Sequence, residues 1–247
     1  MYKSMISAVL FLITINLFNS CKESSKAAEE RFKRPIPMAT LESIYPSGDL
    51  VIPSHSEFTK EHYPERIAEF MSDPLQPNDI VFMGNSITEQ GGMWNEKLDK
   101  HNAKNRGISG DTSEGVLARL GELVYFKPSQ VFILIGINDL FHNDINPENV
   151  YENIVKTVDK LNKESPQTEI FVQTILPTTS VDLVEKIQIT NQLIKSNAGK
   201  VGYNLIDLYP LFRSKSEFLN MDYSYDGVHL NEKGYAVWVN KVKPFVK

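Results

Sequence analysis

Short apolar runs alternate with longer amphipathic stretches from residue 79 onward. The runs at 79–83 and 130–135 are almost entirely apolar, which is typical of strands that are covered on both faces. Between the runs, apolar residues recur three or four positions apart, a spacing that predicts helices. The predicted strands are 79–83, 103–108, 130–135, 169–176 and 204–208, and the predicted helices are 64–71, 94–100, 113–123, 147–163, 182–199 and 231–246.

The alternating order of these elements predicts the fold class. Strands that alternate with helices form parallel sheets whose crossover helices cover both faces. We therefore expect an α/β protein with a five-stranded parallel sheet. With 247 residues and 41% hydrophobic content, the chain fits one domain plus extra segments better than two domains.

The first 63 residues differ from the rest of the chain. Residues 1–20 combine a positive charge at Lys3 with a long apolar run, a pattern that predicts a lipoprotein-type signal peptide with Cys21 as the lipidated residue. An ordinary cleaved signal with an incidental cysteine is the alternative. We expect residues 21–63 to form a polar tether and a proline-rich lead-in, and residues 64–247 to form the folded domain. The predicted location is the bacterial cell envelope, with the domain anchored through lipid and facing the periplasm or the cell surface.

Charge and cysteine content narrow the possible partners and stabilising bonds. The chain has 26 basic and 31 acidic residues, a net charge of −5, and no basic stripe, so nucleic acid is not an expected partner. A lone cysteine excludes an intramolecular disulfide, so stability must come from packing. His55 and His62 lie in the lead-in, where we expect them to be exposed and without a role.

A serine follows the first predicted strand, at the sheet edge where ligands bind in open α/β sheets. Ser86 is a poor nucleophile unless a base takes its proton and a third group orients that base. Asp226 and His229 have suitable chemistry, and a spacing of three residues within a turn lets the carboxylate face one ring nitrogen. The other nitrogen would then face Ser86.

An oxyanion that forms during acyl transfer needs hydrogen-bond donors already in place. Asn138 follows the third predicted strand and can supply a side-chain N–H. Gly110 can supply a backbone N–H, because the absence of a Cβ lets its backbone approach closely. The backbone N–H of Ser86 is the third candidate.

Four segments resemble the sequence blocks of the SGNH hydrolase superfamily, also called the GDSL esterase family, and they occur in family order. They are Gly-Asn-Ser-Ile at 84–87, Asn-Arg-Gly-Ile-Ser-Gly-Asp-Thr at 105–112, Gly-Ile-Asn-Asp at 136–139 and Asp-Gly-Val-His at 226–229. The resemblance implies a flavodoxin-like three-layer α/β/α sandwich. It also implies Ser86 as nucleophile, Asp226 and His229 as orienter and base, and Ser86, Gly110 and Asn138 as oxyanion donors.

Four further residues are candidates for support or for the pocket. The family's aspartate before the serine is Asn85 here, a change that we expect to adjust hydrogen bonds around the turn. Asp111 and Asp139 are predicted to support the site, and His142 lies four residues after Asn138, close enough to line the pocket.

The expected activity is hydrolysis of small acyl esters through an acyl-enzyme. The run at 105–120 resembles the platelet-activating-factor acetylhydrolase-like branch and bacterial acetylesterases, which favours O-acetyl groups on carbohydrates. A lysophospholipid or platelet-activating-factor-like acyl ester is the alternative substrate, and a non-catalytic glycan-binding lipoprotein is the alternative from another class. No cofactor or metal is expected: Glu89 would repel phosphate after the first strand, and zinc-binding motifs do not occur in the sequence. A metal-dependent esterase with Asp226 and His229 as ligands lacks enough partners.

Overall fold

The computed structural model describes residues 37–247, so the predicted signal peptide, Cys21 and the tether up to residue 36 lie outside the described residues. Residues 42–247 form one compact unit. The strands are β1 (Ile80–Gly84), β2 (Ala103–Gly107), β3 (Gln130–Leu134), β4 (Glu169–Gln173) and β5 (Asn204–Ile206). The α-helices are α1 (Met38–Ile44), α2 (Glu57–Ser72), α3 (Ser86–Glu89), α4 (Trp94–Leu98), α5 (Ser113–Ala118), α6 (Gly121–Phe126), α7 (Ile137–Phe141), α8 (Pro147–Glu164), α9 (Val181–Val201), α10 (Tyr209–Phe212) and α11 (Glu232–Val242), and short 3₁₀ turns span Met221–Tyr223 and Lys243–Phe245.

The five strands form one parallel sheet in the order β2-β1-β3-β4-β5. This order confirms the predicted α/β fold with a five-stranded parallel sheet. β1 pairs with β2 on one side and with β3 on the other, and Gly84 at its carboxyl end lies level with Gly107 and Leu134. The segments that follow these three strands therefore begin at the same edge of the sheet.

Aromatic side chains tie the centre of the sheet to its covering helices. Phe82, Phe132 and Phe171 occupy the same register on adjacent strands. Their rings therefore stack in a row, with centroids 4.9 Å and 4.5 Å apart. Trp94 lies parallel to Phe82 at 4.0 Å and meets the edge of Trp238 from α11 at 4.7 Å. Burial of such large rings is a major contribution to stability.

Helix α2 differs from the sequence prediction of a helix at 64–71. It begins at Glu57, where the side chain of Ser56 caps it by accepting a hydrogen bond from the Thr59 N–H, and Pro64 lies inside it. A proline removes one helical hydrogen bond. Tertiary burial of the flanking Tyr63 and Ile67 holds the helix together at this point.

Several other elements end earlier than the sequence pattern predicts. The predicted helix at 113–123 is divided into α5 and α6, because the Arg119 side chain between them turns inward to Asp111. Strand β4 ends at Gln173 rather than at 176, because the Asn191 side chain satisfies both the N–H and the carbonyl of Ile175. Across residues 37–247, we find no helix with the length and apolar character needed to cross a membrane.

Candidate active site

Ser86 lies at the first position of the short helix α3, directly after β1. The side chain of Asn85 caps this helix by accepting a hydrogen bond from the Ile87 N–H at 3.1 Å. Gly84, which precedes Asn85, has no room for a side chain, since a Cβ there would lie 2.3 Å from the Leu134 carbonyl oxygen. The strand-to-helix turn is thus fixed on both sides, and Asn85 supplies the cap that orders the turn.

The structure brings Ser86, His229 and Asp226 together in a hydrogen-bonded chain. Ser86 Oγ lies 2.9 Å from His229 Nε2, and His229 Nδ1 lies 2.7 Å from Asp226 Oδ2. The second carboxylate oxygen of Asp226 accepts from the backbone N–H groups of Val228 and His229 at 2.9 Å and 2.8 Å. Both Asp226 oxygens are therefore occupied by donors from its own loop, which fixes how the carboxylate faces the imidazole.

Electrostatics favours the ionised form of Asp226. Partial burial alone would raise its pKa, but hydrogen bonds from the His229 ring and from the backbone N–H groups of His229 and Val228 hold the pKa below its ordinary value. An ionised Asp226 stabilises the imidazolium that forms when His229 takes a proton from a hydroxyl group. The arrangement can therefore activate the Ser86 hydroxyl at neutral pH.

Gly110 and Asn138 lie beside each other near the turn that follows β2. Gly110 has φ of +80°, and the Asp111 N–H donates to the Ile108 carbonyl at 3.0 Å, a geometry that fits a type II turn with glycine at its second central position. Asn138 Nδ2 donates to the Asp111 carbonyl at 2.9 Å, which fixes its amide next to the turn. Within residues 37–247, neither the Ser86 nor the Gly110 backbone N–H donates one of the backbone hydrogen bonds of turns, loops and caps.

A buried network holds the residues around Gly110. Asp111 is fully buried, and its carboxylate binds Arg119 at 2.9 Å and His55 Nε2 at 3.0 Å. Arg119 also donates to the Gly84 carbonyl at 3.1 Å, so the network reaches the strand that precedes the serine. The expectation that His55 is exposed is wrong, because Asp111 offers it a buried acceptor that no local pattern reveals.

Asp139 connects the asparagine segment to helix α5. Its carboxylate accepts from both the N–H and the hydroxyl of Ser113, at 3.0 Å and 2.5 Å. Burial raises the pKa of Asp139 to about 6, although these hydrogen bonds oppose the shift. Asn153 from α8 donates to the same Ser113 hydroxyl at 3.1 Å. Asp139 therefore holds the position of Asn138 relative to the turn at Gly110.

His142 is half-buried after α7, where its carbonyl accepts a hydrogen bond from Lys186 at 3.4 Å. The hydrogen bonds of His142 involve its backbone N–H and carbonyl, and its place in the pocket stays a prediction. In the part of the chain that the structure describes, no group of three or more His, Cys, Asp or Glu side chains is arranged to hold a metal ion.

Comparison with known proteins gives a consistent result. Residues 82–237 match the model of the GDSL-like lipase/acylhydrolase family. Platelet-activating factor acetylhydrolase IB subunit alpha1 of Pongo abelii is 32% identical over 166 residues, which cover 64% of this chain and 71% of that protein. The crystal structure of a GDSL-like lipase from Bacteroides thetaiotaomicron is 26% identical, with a TM-score of 0.65 over 76% of this chain and 96% of that one. A variant of an acetyl-xylooligosaccharide esterase from Geobacillus shares the fold at 18% identity and a TM-score of 0.58, covering 70% and 95% of the two chains.

Proposed function

Because the chain belongs to the GDSL-like lipase/acylhydrolase family and is a serine ester hydrolase, we propose that it removes small acyl groups, O-acetyl groups above all, from carbohydrates, with Ser86 as nucleophile. Family membership confirms the resemblance indicated by the four sequence blocks. The observation that carries the proposal is the chain of contacts from Ser86 to His229 at 2.9 Å and from His229 to Asp226 at 2.7 Å.

The proposed reaction has two steps, which are formation of an acyl-enzyme and its hydrolysis. Ser86 Oγ attacks the ester carbonyl carbon while its proton moves to His229 Nε2, and the carbonyl oxygen becomes an oxyanion. The backbone N–H groups of Ser86 and Gly110 and the side-chain N–H of Asn138 donate to that oxyanion. Collapse of the tetrahedral intermediate breaks the bond to the alcohol, which leaves with the proton from His229. Water then attacks the acyl-enzyme in the same way and releases the acid.

An exposed aromatic ring supports a carbohydrate as the alcohol part of the substrate. Tyr225 is 60% exposed, and its ring lies nearly parallel to the His229 imidazole with centroids 6.0 Å apart. Its hydroxyl donates to Gln90 at 2.6 Å, which holds the ring between the histidine loop and the end of helix α3. A leaving alcohol must approach His229 to receive its proton, so a flat, fixed ring there suits a sugar. The acetyl specificity named for the Geobacillus esterase with the same fold is consistent with this choice.

The alternative substrate is a lysophospholipid or a platelet-activating-factor-like ester, favoured by the relationship to the Pongo abelii acetylhydrolase subunit. Turnover of acetyl, butyryl and octanoyl p-nitrophenyl esters, together with acetylated xylan, distinguishes the two. We expect the rate to fall sharply beyond acetyl and acetate to be released from the polysaccharide. Rates that stay level or rise with chain length would favour the lipid substrate.

Anchoring at the cell envelope is a separate part of the proposal. The apolar run before Cys21 supports export and lipidation of that cysteine. Metabolic labelling with a palmitate analogue in a bacterial host should mark the wild-type protein and leave Cys21→Ala unlabelled. Equal labelling of both proteins, or of neither, would contradict lipidation at this residue.

A further inference from the structure

The carboxylate of Glu89 connects the serine helix to the turn that contains Gly110. Glu89 is the last residue of α3, three positions after Ser86, and its Oε2 accepts the backbone N–H of Ser109. Ser109 immediately precedes Gly110 and is the first central residue of the type II turn. One short helix thus carries both the hydroxyl of Ser86 and the acceptor that holds the turn with the oxyanion donor.

Helix α2 fixes Glu89 from the opposite side. His62 Nε2 lies 3.1 Å from both oxygens of the Glu89 carboxylate, and Arg66 Nε lies 3.4 Å from Oε1. Arg66 also donates twice to the Gly107 carbonyl, at 3.3 Å and 3.2 Å, so the beginning of the turn segment is held by the same helix. These contacts, and the half-buried position of His62, also correct the expectation that it is an exposed residue without a role.

Helix α2 also contacts Gly110 directly. A Cβ at Gly110 would lie only 2.0 Å from Thr59 Oγ1, so α2 packs directly against this glycine. Gly107, Ser109 and Gly110 are thus each held by α2 or by Glu89. Helix α2 lies before residues 82–237, the part that matches the family model. The support from this helix therefore comes from outside that part of the chain.

We propose that Glu89, buttressed by His62 and Arg66, is a positioning residue that sets the distance between the Ser86 hydroxyl and the Gly110 N–H. Preorganised donors stabilise the transition state because they need not reorient as charge develops, and small displacements weaken that effect strongly. Without the Glu89 carboxylate, the turn can move relative to Ser86. The loss then appears in the chemical step and in binding of oxyanion mimics rather than in ground-state binding of the ester.

The test uses two substitutions that separate the length of the side chain from its charge. Glu89→Gln keeps an oxygen acceptor at the same reach, whereas Glu89→Asp keeps the charge and withdraws it by one methylene. With p-nitrophenyl acetate, we expect kcat to fall about 10- to 100-fold in Glu89→Asp and in Glu89→Ala, with KM within about threefold of wild type. Glu89→Gln should retain most of the activity. The inhibition constant of butylboronic acid, which forms a tetrahedral adduct with a nucleophilic serine, should rise in parallel with the loss of kcat.

Glu65→Ala is the matched control. Glu65 faces the other nitrogen of His62 at 3.6 Å and is 74% exposed, so its removal takes a carboxylate from the same histidine without touching the turn. We expect its kinetics to equal those of wild type. The proposal is overturned if Glu89→Asp keeps kcat within twofold of wild type, or if kcat falls while boronate inhibition is unchanged. If Glu89→Ala fails to fold, Glu89→Asp and Glu89→Gln still decide between these outcomes. All variants are compared with a wild type that hydrolyses the ester. A negative result would therefore overturn the role of Glu89 and not the ester hydrolase activity.

Discussion

The two loops that form the site are stabilised in different ways. The loop at 224–229 is held largely by its own residues: Asp226 binds the N–H groups of Val228 and His229, and Ser224 Oγ donates to the His229 carbonyl at 2.6 Å. The turn at 107–113 is held by residues far away in sequence, through Asp111 to His55, Ser109 to Glu89 and Ser113 to Asp139. The two loops also differ in exposure, because the side chain of Asp226 is 40% exposed and that of Asp111 is fully buried. The residues proposed to act on the ester thus depend on bonds within their own loop, whereas the residues that keep the proposed donors in place depend on distant segments.

The largest expected effect on activity comes from a substitution in the loop at 224–229. His229→Ala removes the proposed base for the Ser86 proton, so we expect kcat for p-nitrophenyl acetate to fall about 10⁴- to 10⁶-fold. Because the His229 side chain is 24% exposed and its backbone is held by bonds within its own loop, the thermal midpoint should change by only a few degrees. Steady-state kinetics and a thermal melt of the same preparation check both statements. A variant with activity within tenfold of wild type would rule out His229 as the base.

Asp111→Asn is expected to affect stability most strongly. The substitution leaves the buried guanidinium of Arg119 without its charged partner, and breaking a buried ion pair in this way costs about 3–5 kcal/mol. Urea denaturation measures the loss. Asp73→Asn is the control, because Asp73 pairs with Lys104 at the surface and is 66% exposed, where such a pair contributes about 0–1 kcal/mol. Equal losses in the free energy of unfolding would contradict the conclusion that the buried ion pair of the turn stabilises the protein more than the surface pair does.

Asn138→Ala should weaken the chemical step, and it also removes the hydrogen bond from Asn138 Nδ2 to the Asp111 carbonyl. It removes one proposed oxyanion donor, for which a loss of about 10²- to 10³-fold in kcat is typical. KM should change little, because the donor acts on charge that develops only in the transition state. Asn138→Asp is the matched control of similar shape, and it places a negative charge near the oxyanion, so it should be at least as damaging. Activity of Asn138→Ala close to that of wild type would remove Asn138 from the oxyanion hole.

The same contrast explains what the sequence could and could not predict. Ser86, Asp226 and His229 could be paired from residue type and local spacing, and the alternation of short strand-like segments with helical ones predicted all five strands. The support by His55 and Glu89 could not, because His55 contacts Asp111 56 residues later in the chain and Glu89 contacts the Ser109 N–H 20 residues later. Pro64 also hid the start of α2, since local rules predict that a proline begins or ends a helix. Residues that supply chemistry are read from short motifs, whereas residues that position them depend on tertiary contacts.

The smallest expected effect concerns the buried carboxyl of Asp139 and its dependence on pH. Its pKa is about 6 in the folded protein and 3.8 as an ordinary value, so between these pH values the folded state holds a proton that the unfolded state has lost. Raising the pH through this window therefore removes stability, by about 3 kcal/mol at most. Asp139→Asn cannot ionise, so its stability relative to wild type should improve from pH 4 to about pH 6 and level off above that pH, which urea denaturation of both proteins at each pH can measure. A difference between the two proteins that stays constant with pH would show that Asp139 is ionised throughout and that its bonds to Ser113 offset the cost of burial.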